Sequence, residues 1–189
     1  MDPQSVKIVV AGGFGIGKTT LVGSVSEIPP LTTEEVLTEA STSVDDLAGI
    51  ENKTNTTVAL DFGRITINSE IVLYLFGTPG QGRFWFMWDE LARGAVGAIV
   101  LVDPRRLDTS FAAIDYFERR AIPFVVAINM FYGRCAYEMH EIRNALKLGD
   151  SVPMVRCDAR DRESARLALI ELVRHALARM PAPSQPAAT

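Results

Sequence analysis

Eight residues near the start of the chain, Gly12-Gly13-Phe14-Gly15-Ile16-Gly17-Lys18-Thr19, have the types and the spacing to hold a row of phosphates. Glycine, four residues, then Gly-Lys-Thr is the P-loop pattern. Glycines let a backbone approach phosphate oxygens with no Cβ in the way. The N–H groups of Gly13, Phe14, Gly15, Ile16, Gly17, Lys18, Thr19 and Thr20 can then converge on an anion, helped by the positive end of the helix that follows. Lys18 adds a point charge for the β- and γ-phosphates, and the Thr19 hydroxyl is of the type that coordinates Mg²⁺.

Such a loop works only between a strand and a helix, and the flanks supply both. Val6 to Ala11 is a β-branched apolar run, and Thr20 to Val25 continues as a helix. Further along, Thr57 to Ile67 alternates like a half-buried strand, Asn68-Ser69 is a hairpin turn, and Ile71 to Phe76 is apolar throughout, as a central strand is. Ala95 to Val102, Pro123 to Ile128 and Val152 to Cys157 complete six strands, with Thr109 to Arg120, Ala136 to Leu148 and Ser164 to Arg179 as helices between and after them. The expected fold is therefore α/β, with a six-stranded, mostly parallel sheet, one antiparallel edge strand and helices on both faces. Ligands of such sheets sit at the carboxyl ends of the strands, which puts Gly12, Gly77, Asp103, Asn129 and Asp158 on one rim. The polar stretch from Glu27 to Asn55 has weak periodicity and the length of a functional loop. A single domain over residues 1–180 and a disordered Pro/Ala-rich tail at 181–189 are expected.

Composition narrows the class. A net charge of −4 argues against nucleic acid as the main partner, which calls for a basic face. The two cysteines, Cys135 and Cys157, lack metal-ligand spacing and read as packing residues of a reducing cytosol. The longest apolar run, Ala95 to Val102, falls far short of the ~20 residues that cross a bilayer. A cytoplasmic location follows as the expectation, with no direct membrane insertion and any recruitment to a membrane passing through a partner.

Beyond the loop, several segments carry a specific likeness. Thr57-Val58-Ala59-Leu60-Asp61-Phe62 is similar to the segment that follows switch I in Rab-type proteins, and Phe76-Gly77-Thr78-Pro79-Gly80-Gln81-Gly82-Arg83-Phe84 resembles the Asp-Thr-Ala-Gly-Gln-Glu-Arg-Phe run of switch II. Asn129-Met130-Phe131-Tyr132 stands where Asn-Lys-x-Asp would read the base, and Cys157-Asp158-Ala159-Arg160 where Ser-Ala-Lys would support it. The chain thus resembles a Ras-like small GTPase of the bacterial type, with wording closest to the actinobacterial conservon GTPases. The resemblance implies a P-loop G domain that binds GTP/GDP with Mg²⁺. It implies Thr19 and Thr57 (or Thr56, one residue earlier) at the metal. It also implies Gly80 at the γ-phosphate and Gln81, with Lys18, in catalysis. Asn129, Met130, Tyr132, Asp158, Ala159 and Arg160 would lie around the base. Roadblock-domain and sensor-kinase-like proteins are the partners it implies.

Two positions depart from the family pattern. Gly77 replaces the aspartate that holds Mg²⁺ through water, which leads us to expect weak Mg²⁺ dependence and slow hydrolysis. Tyr132 replaces the aspartate that accepts two hydrogen bonds from guanine, so guanine specificity is expected to relax. The run Phe84-Trp85-Phe86-Met87-Trp88 cannot bury every side chain as a helix. Phe84 and Trp88, at i and i+4, fit the core, and Trp85 and Met87 would form an apolar patch for a partner. His140 and His175 lie away from the expected rim. Besides a slow GTPase switch, two readings stay open: a non-hydrolysing pseudo-GTPase scaffold, and a P-loop kinase or ATPase, against which stands the lack of an arginine-rich lid.

Overall fold

The computed structural model describes residues 3–29, 31–37, 56–80, 86–133 and 135–180. All six expected strands form: β1 (Gln4–Ala11), β3 (Thr56–Thr66), β4 (Ile71–Gly77), β5 (Ala95–Val102), β6 (Phe124–Asn129) and β7 (Met154–Cys157). A further strand, β2 (Leu31–Leu37), comes from the stretch read as a loop, and it pairs antiparallel with β3. The order across the sheet is β2-β3-β4-β1-β5-β6-β7. β3 runs against β4, while β4, β1, β5, β6 and β7 are mutually parallel. The one reversed strand is therefore real but lies inside the edge rather than on it, because β2 covers its outer side.

Among the described residues, the α-helices α1 (Lys18–Val25), α2 (Trp88–Ala92), α3 (Phe111–Arg119), α4 (Met139–Leu146) and α5 (Arg162–Ala178) sandwich the sheet. Alternation along the central strands feeds two cores. Ile8, Val10, Ile99, Leu101, Val125 and Ala127 meet α1 and α5 on one face. Val9, Ala11, Val100, Val102, Val126 and Ile128 meet α2, α3 and α4 on the other. Both faces of these strands are apolar, which is why they read as unbroken hydrophobic runs.

α2 is short, but its aromatic start anchors it. Trp88 is 3% exposed and packs edge-on against Tyr116 and obliquely against Phe117 of α3. Asp89 accepts a hydrogen bond from the Tyr116 hydroxyl at 2.8 Å. Trp88 thus faces the core as its spacing implied, and Phe86, two residues earlier, stays 65% exposed. Phe84, Trp85, Gln81, Asp45, Asp46 and the tail lie outside the described residues. Among the described residues no helix is long and apolar enough to cross a membrane.

α1 must approach β3 closely, and Gly63 permits it. A Cβ at Gly63 would stand 2.7 Å from Val22 Cγ1 and 3.2 Å from Ser26 Cβ, both of which belong to α1 or its end. Gly63→Val is expected to lower stability by roughly 1–3 kcal/mol through overpacking, read as a shift in urea midpoint. Gly149→Ala, where an added Cβ meets nothing within 4 Å, should stay within about 0.5 kcal/mol of the parent.

Candidate phosphate-binding site

The parallel strands bring the rim together as expected. β1 ends at Ala11, β4 at Gly77, β5 at Val102, β6 at Asn129 and β7 at Cys157, so Gly12, Gly77, Asp103, Asn129 and Asp158 cluster at one edge. The P-loop runs from β1 into α1. Gly17, with φ of 103°, takes the left-handed backbone that starts the helix, and a Cβ there would meet Asn129 Nδ2 at 2.9 Å. Only glycine satisfies both conditions. Ile16 is buried in the α1/α5 core and pins the loop from below, whereas Phe14, Gly15, Thr19 and Thr20 are exposed.

Lys18 folds under the loop. It is 8% exposed, and its Nζ donates to the carbonyls of Gly12 at 3.0 Å and Gly13 at 2.7 Å. Burial pulls its pKa down from 10.5 to about 8, against the opposing attraction of Asp61. Gly80 closes over the same spot: a Cβ on it would stand 2.8 Å from Lys18 Nζ and from the Phe14 backbone nitrogen. Two contacts hold that segment down. Thr78 N–H donates to Val10 O at 2.9 Å, and Trp88 Nε1–H to Pro79 O at 3.4 Å. The assignment of Gly80 beside the phosphate loop therefore has a geometric basis.

The metal end holds a residue that the sequence reading passed over. Thr19 Oγ1–H donates to Asp61 Oδ2 at 2.7 Å, and Asp61, on β3, is only 6% exposed. Sequence reasoning looked for a carboxylate at Gly77 and found none. In the sheet Asp61 is the register partner of Gly77. A carboxylate therefore stands beside Thr19, although position 77 carries none. A hydroxyl and one carboxylate suit Mg²⁺, which is held by one or two carboxylates plus substrate phosphates rather than by an all-protein cage. No group of three or more His, Cys, Asp or Glu side chains able to hold a metal occurs among the described residues. The Thr78 hydroxyl, next to Gly77, is buried without a partner, and buried polar atoms are normally satisfied. Thr56 and Thr57 open β3, opposite Leu37 and Val36; the roles of their side chains fall outside what is described.

At the base end the predicted residues assemble, with different partners. Asn129 Nδ2 donates to Ile16 O at 2.9 Å, and its Oδ1 accepts from Ala159 N–H at 3.2 Å. Asn129 therefore cross-links the P-loop to the loop after β7, where we had expected it and the Ala159 amide to face guanine. Asp158 is held by Arg160 through Nε at 3.0 Å and Nη2 at 2.8 Å, an arrangement that keeps its carboxyl below the usual range. Ser164 Oγ accepts from Asp158 N–H at 2.9 Å, and Asp161 caps α5 at Ser164 N–H, so the loop is fastened to that helix. Met130 packs against the α3-side core, and Tyr132 lies in a short turn, Phe131–Gly133. Asp103, fully buried, is engaged by Arg105 Nε at 2.9 Å and Nη2 at 2.8 Å, and that guanidinium lies 4.3 Å over the Phe131 ring. Cys157 is buried and its thiol is pushed up to about 11 by burial, which fits packing rather than chemistry.

Lys18 generates a pH prediction. Its native pKa lies below the unfolded value, so its burial cost is fully present below about pH 8 and fades as pH rises towards 10.5. A phosphate chain beside the ammonium restores the charged form. Nucleotide binding in EDTA at pH 9 should therefore take up nearly one proton (~1), seen as a dependence of the calorimetric heat on buffer ionisation. Lys18→Met should abolish the uptake.

Comparisons with known proteins agree with this geometry. The solved structures similar to this chain include the cytosolic domain of the T. maritima FeoB iron transporter in a GDP form, with TM-score 0.65 and 16% identity over 93% of this chain. This chain spans 65% of that domain. The G domain of the same transporter matches with TM-score 0.63 and 17% identity, covering 92% of this chain and 99% of that one. At such identity the likeness is one of fold alone. An uncharacterized protein of Methanocaldococcus jannaschii is 32% identical over 131 residues, 68% of this chain and 72% of its own length. A family model described as conserved hypothetical ATP binding protein matches residues 10–179. The chain belongs to that family of conserved hypothetical ATP-binding proteins.

Proposed function

We propose that this chain is a guanine-nucleotide-dependent molecular switch with slow intrinsic GTP hydrolysis, read by protein partners in bacterial signalling. The observation that carries the reading is the seating of Gly80 on Lys18 and the Phe14 backbone. A segment that rests on the floor of the phosphate loop must respond when a γ-phosphate enters or leaves, which is the physical requirement of a switch. Lys18 would neutralise the phosphate chain, Thr19 would hold Mg²⁺, and the Gly80 N–H would contact the γ-phosphate. Bound Mg²⁺ would supply charge neutralisation at the phosphates. Gln81 is the residue proposed to orient the attacking water, with Thr57 or Thr56 closing from the other side. Its partners, in this reading, would be Roadblock-domain and sensor-kinase-like proteins, as the sequence resemblance to conservon GTPases implies.

A second reading, an adenine nucleotide in the same cradle, is favoured by the family's description as ATP-binding and by Tyr132 in place of a bidentate carboxylate. The pseudo-GTPase reading loses one of its two supports, since a carboxylate does reach Thr19.

The test is to identify the nucleotide that co-purifies, then compete ATP against GTP on the wild type and on Tyr132→Asp. The switch reading expects guanine nucleotide bound, at least roughly tenfold more preference for GTP in Tyr132→Asp, and phosphate release on the order of 10⁻³ s⁻¹ without a partner. Adenine nucleotide in the purified protein, with ATP outcompeting GTP, would replace it with the second reading.

A further inference from the structure

We propose that Asp61 on β3 supplies the carboxylate of the divalent-cation site, and that Gly77 on β4 is glycine because that carboxylate occupies the space its side chain would need. The assignment rests on the nucleotide reading above. It reverses the expectation of weak Mg²⁺ dependence, which followed from Gly77 alone.

Four observations converge. Asp61 and Gly77 are directly paired across the antiparallel β3/β4 ladder. A Cβ on Gly77 would lie 2.8 Å from both Cβ and Oδ2 of Asp61, so the two positions cannot both carry a side chain in this arrangement. Asp61 Oδ2 accepts the Thr19 hydroxyl proton at 2.7 Å. That bond turns the proton away from the solvent side and leaves the hydroxyl oxygen's lone pairs for a cation, the way a carboxylate orients a metal ligand behind it. Finally, two other acidic residues of the rim among the described residues are engaged by arginines: Asp103 by Arg105 and Arg106, Asp158 by Arg160. Lys18 bears electrostatically on Asp61.

The geometry around Asp61 is built rather than incidental. On a strand, positions 61, 63 and 65 share a face. Here that face meets α1: Gly63 touches Val22 and Ser26, and Ile65 packs on the same core. The close approach at Gly63 brings Thr19, at the head of α1, to Asp61. An acidic side chain on an otherwise apolar face is costly unless it has a partner, and the Thr19 hydroxyl and the Lys18 charge serve as partners.

The test is nucleotide affinity with Mg²⁺ and with EDTA, using a fluorescent guanine or adenine nucleotide, on wild type, Asp61→Asn and the exchange Asp61→Gly/Gly77→Asp. Asn keeps an acceptor for Thr19 and removes the charge, so a purely structural role would survive it. Wild type should gain roughly tenfold or more in affinity from Mg²⁺. Asp61→Asn should lose that gain, holding its EDTA affinity near the wild-type value. The exchange variant should recover it, because removing the side chain at position 61 opens the space at 77. Should Asp61→Asn fail to fold, judged by near-ultraviolet circular dichroism, the exchange variant carries the test. A Mg²⁺ gain that persists in Asp61→Asn overturns the assignment, as does an exchange variant without one. A wild type that binds nucleotide with no Mg²⁺ gain overturns the assignment alone. A wild type that binds neither nucleotide overturns the nucleotide reading and the assignment together.

Discussion

The hydrogen bond from the Thr19 hydroxyl to the Asp61 carboxylate, 2.7 Å long, ties the head of the phosphate-binding helix to the one reversed strand of the sheet. Almost everything else in the site is arranged around that joint. Gly63 must be small for α1 to come close enough, and Gly77 must be small for Asp61 to point inward. Lys18 lies beneath the loop, its positive charge near Asp61 and its burial unfavourable until phosphates arrive. In the proposed reading these groups would serve an anionic ligand and its cation: one ammonium, one carboxylate and the hydroxyl bonded to that carboxylate.

A second joint holds the base end. The Asn129 side chain bridges Ile16 of the P-loop and Ala159 of the loop after β7. Its two ends are engaged by protein groups, so its main physical contribution is to keep two loops from different strands in register. The Asp158–Arg160 pair and the Ser164 contact fasten the second of those loops to α5. The phosphate site is thereby rigid at its floor and at its base end. Gly80, held from Thr78, Pro79 and Trp88, covers it from the third side.

Much of this was legible in the sequence, for identifiable reasons. The P-loop is a local motif, and its glycines, lysine and strand–helix flanks need no long-range information. The parallel strands are apolar on both faces, so their ends, and with them the rim residues, could be placed from hydrophobic runs alone. Trp88 lies in the core, as one reading of the aromatic run expected, while its partner in that reading, Phe84, lies outside the described residues. β2 was missed because Leu31-Thr32-Thr33-Glu34-Glu35-Val36-Leu37 is too polar to signal a strand; its pairing with β3 is a non-local contact. Asp61 was missed for a related reason. The rule that ligands meet the carboxyl ends of strands steers attention to parallel strands, whereas β3 reaches the rim with its amino-terminal half. One signal was present: in Asp61-Phe62-Gly63-Arg64-Ile65 a lone carboxylate shares its alternation face with a glycine and an isoleucine, where an apolar residue would ordinarily stand. The partners of Asn129 were also beyond reach, since an asparagine at a strand end can serve a base or another loop, and only the packed structure distinguishes them.

Locating the cation is the most direct trial of the account. A crystal structure of the chain with its nucleotide and Mn²⁺, with the ion found by anomalous scattering, should place it beside the phosphates with the Thr19 hydroxyl as a direct ligand and Asp61 bound directly or through one water. An ion held by the phosphates and Thr19 with Asp61 in neither of its two inner shells would contradict it.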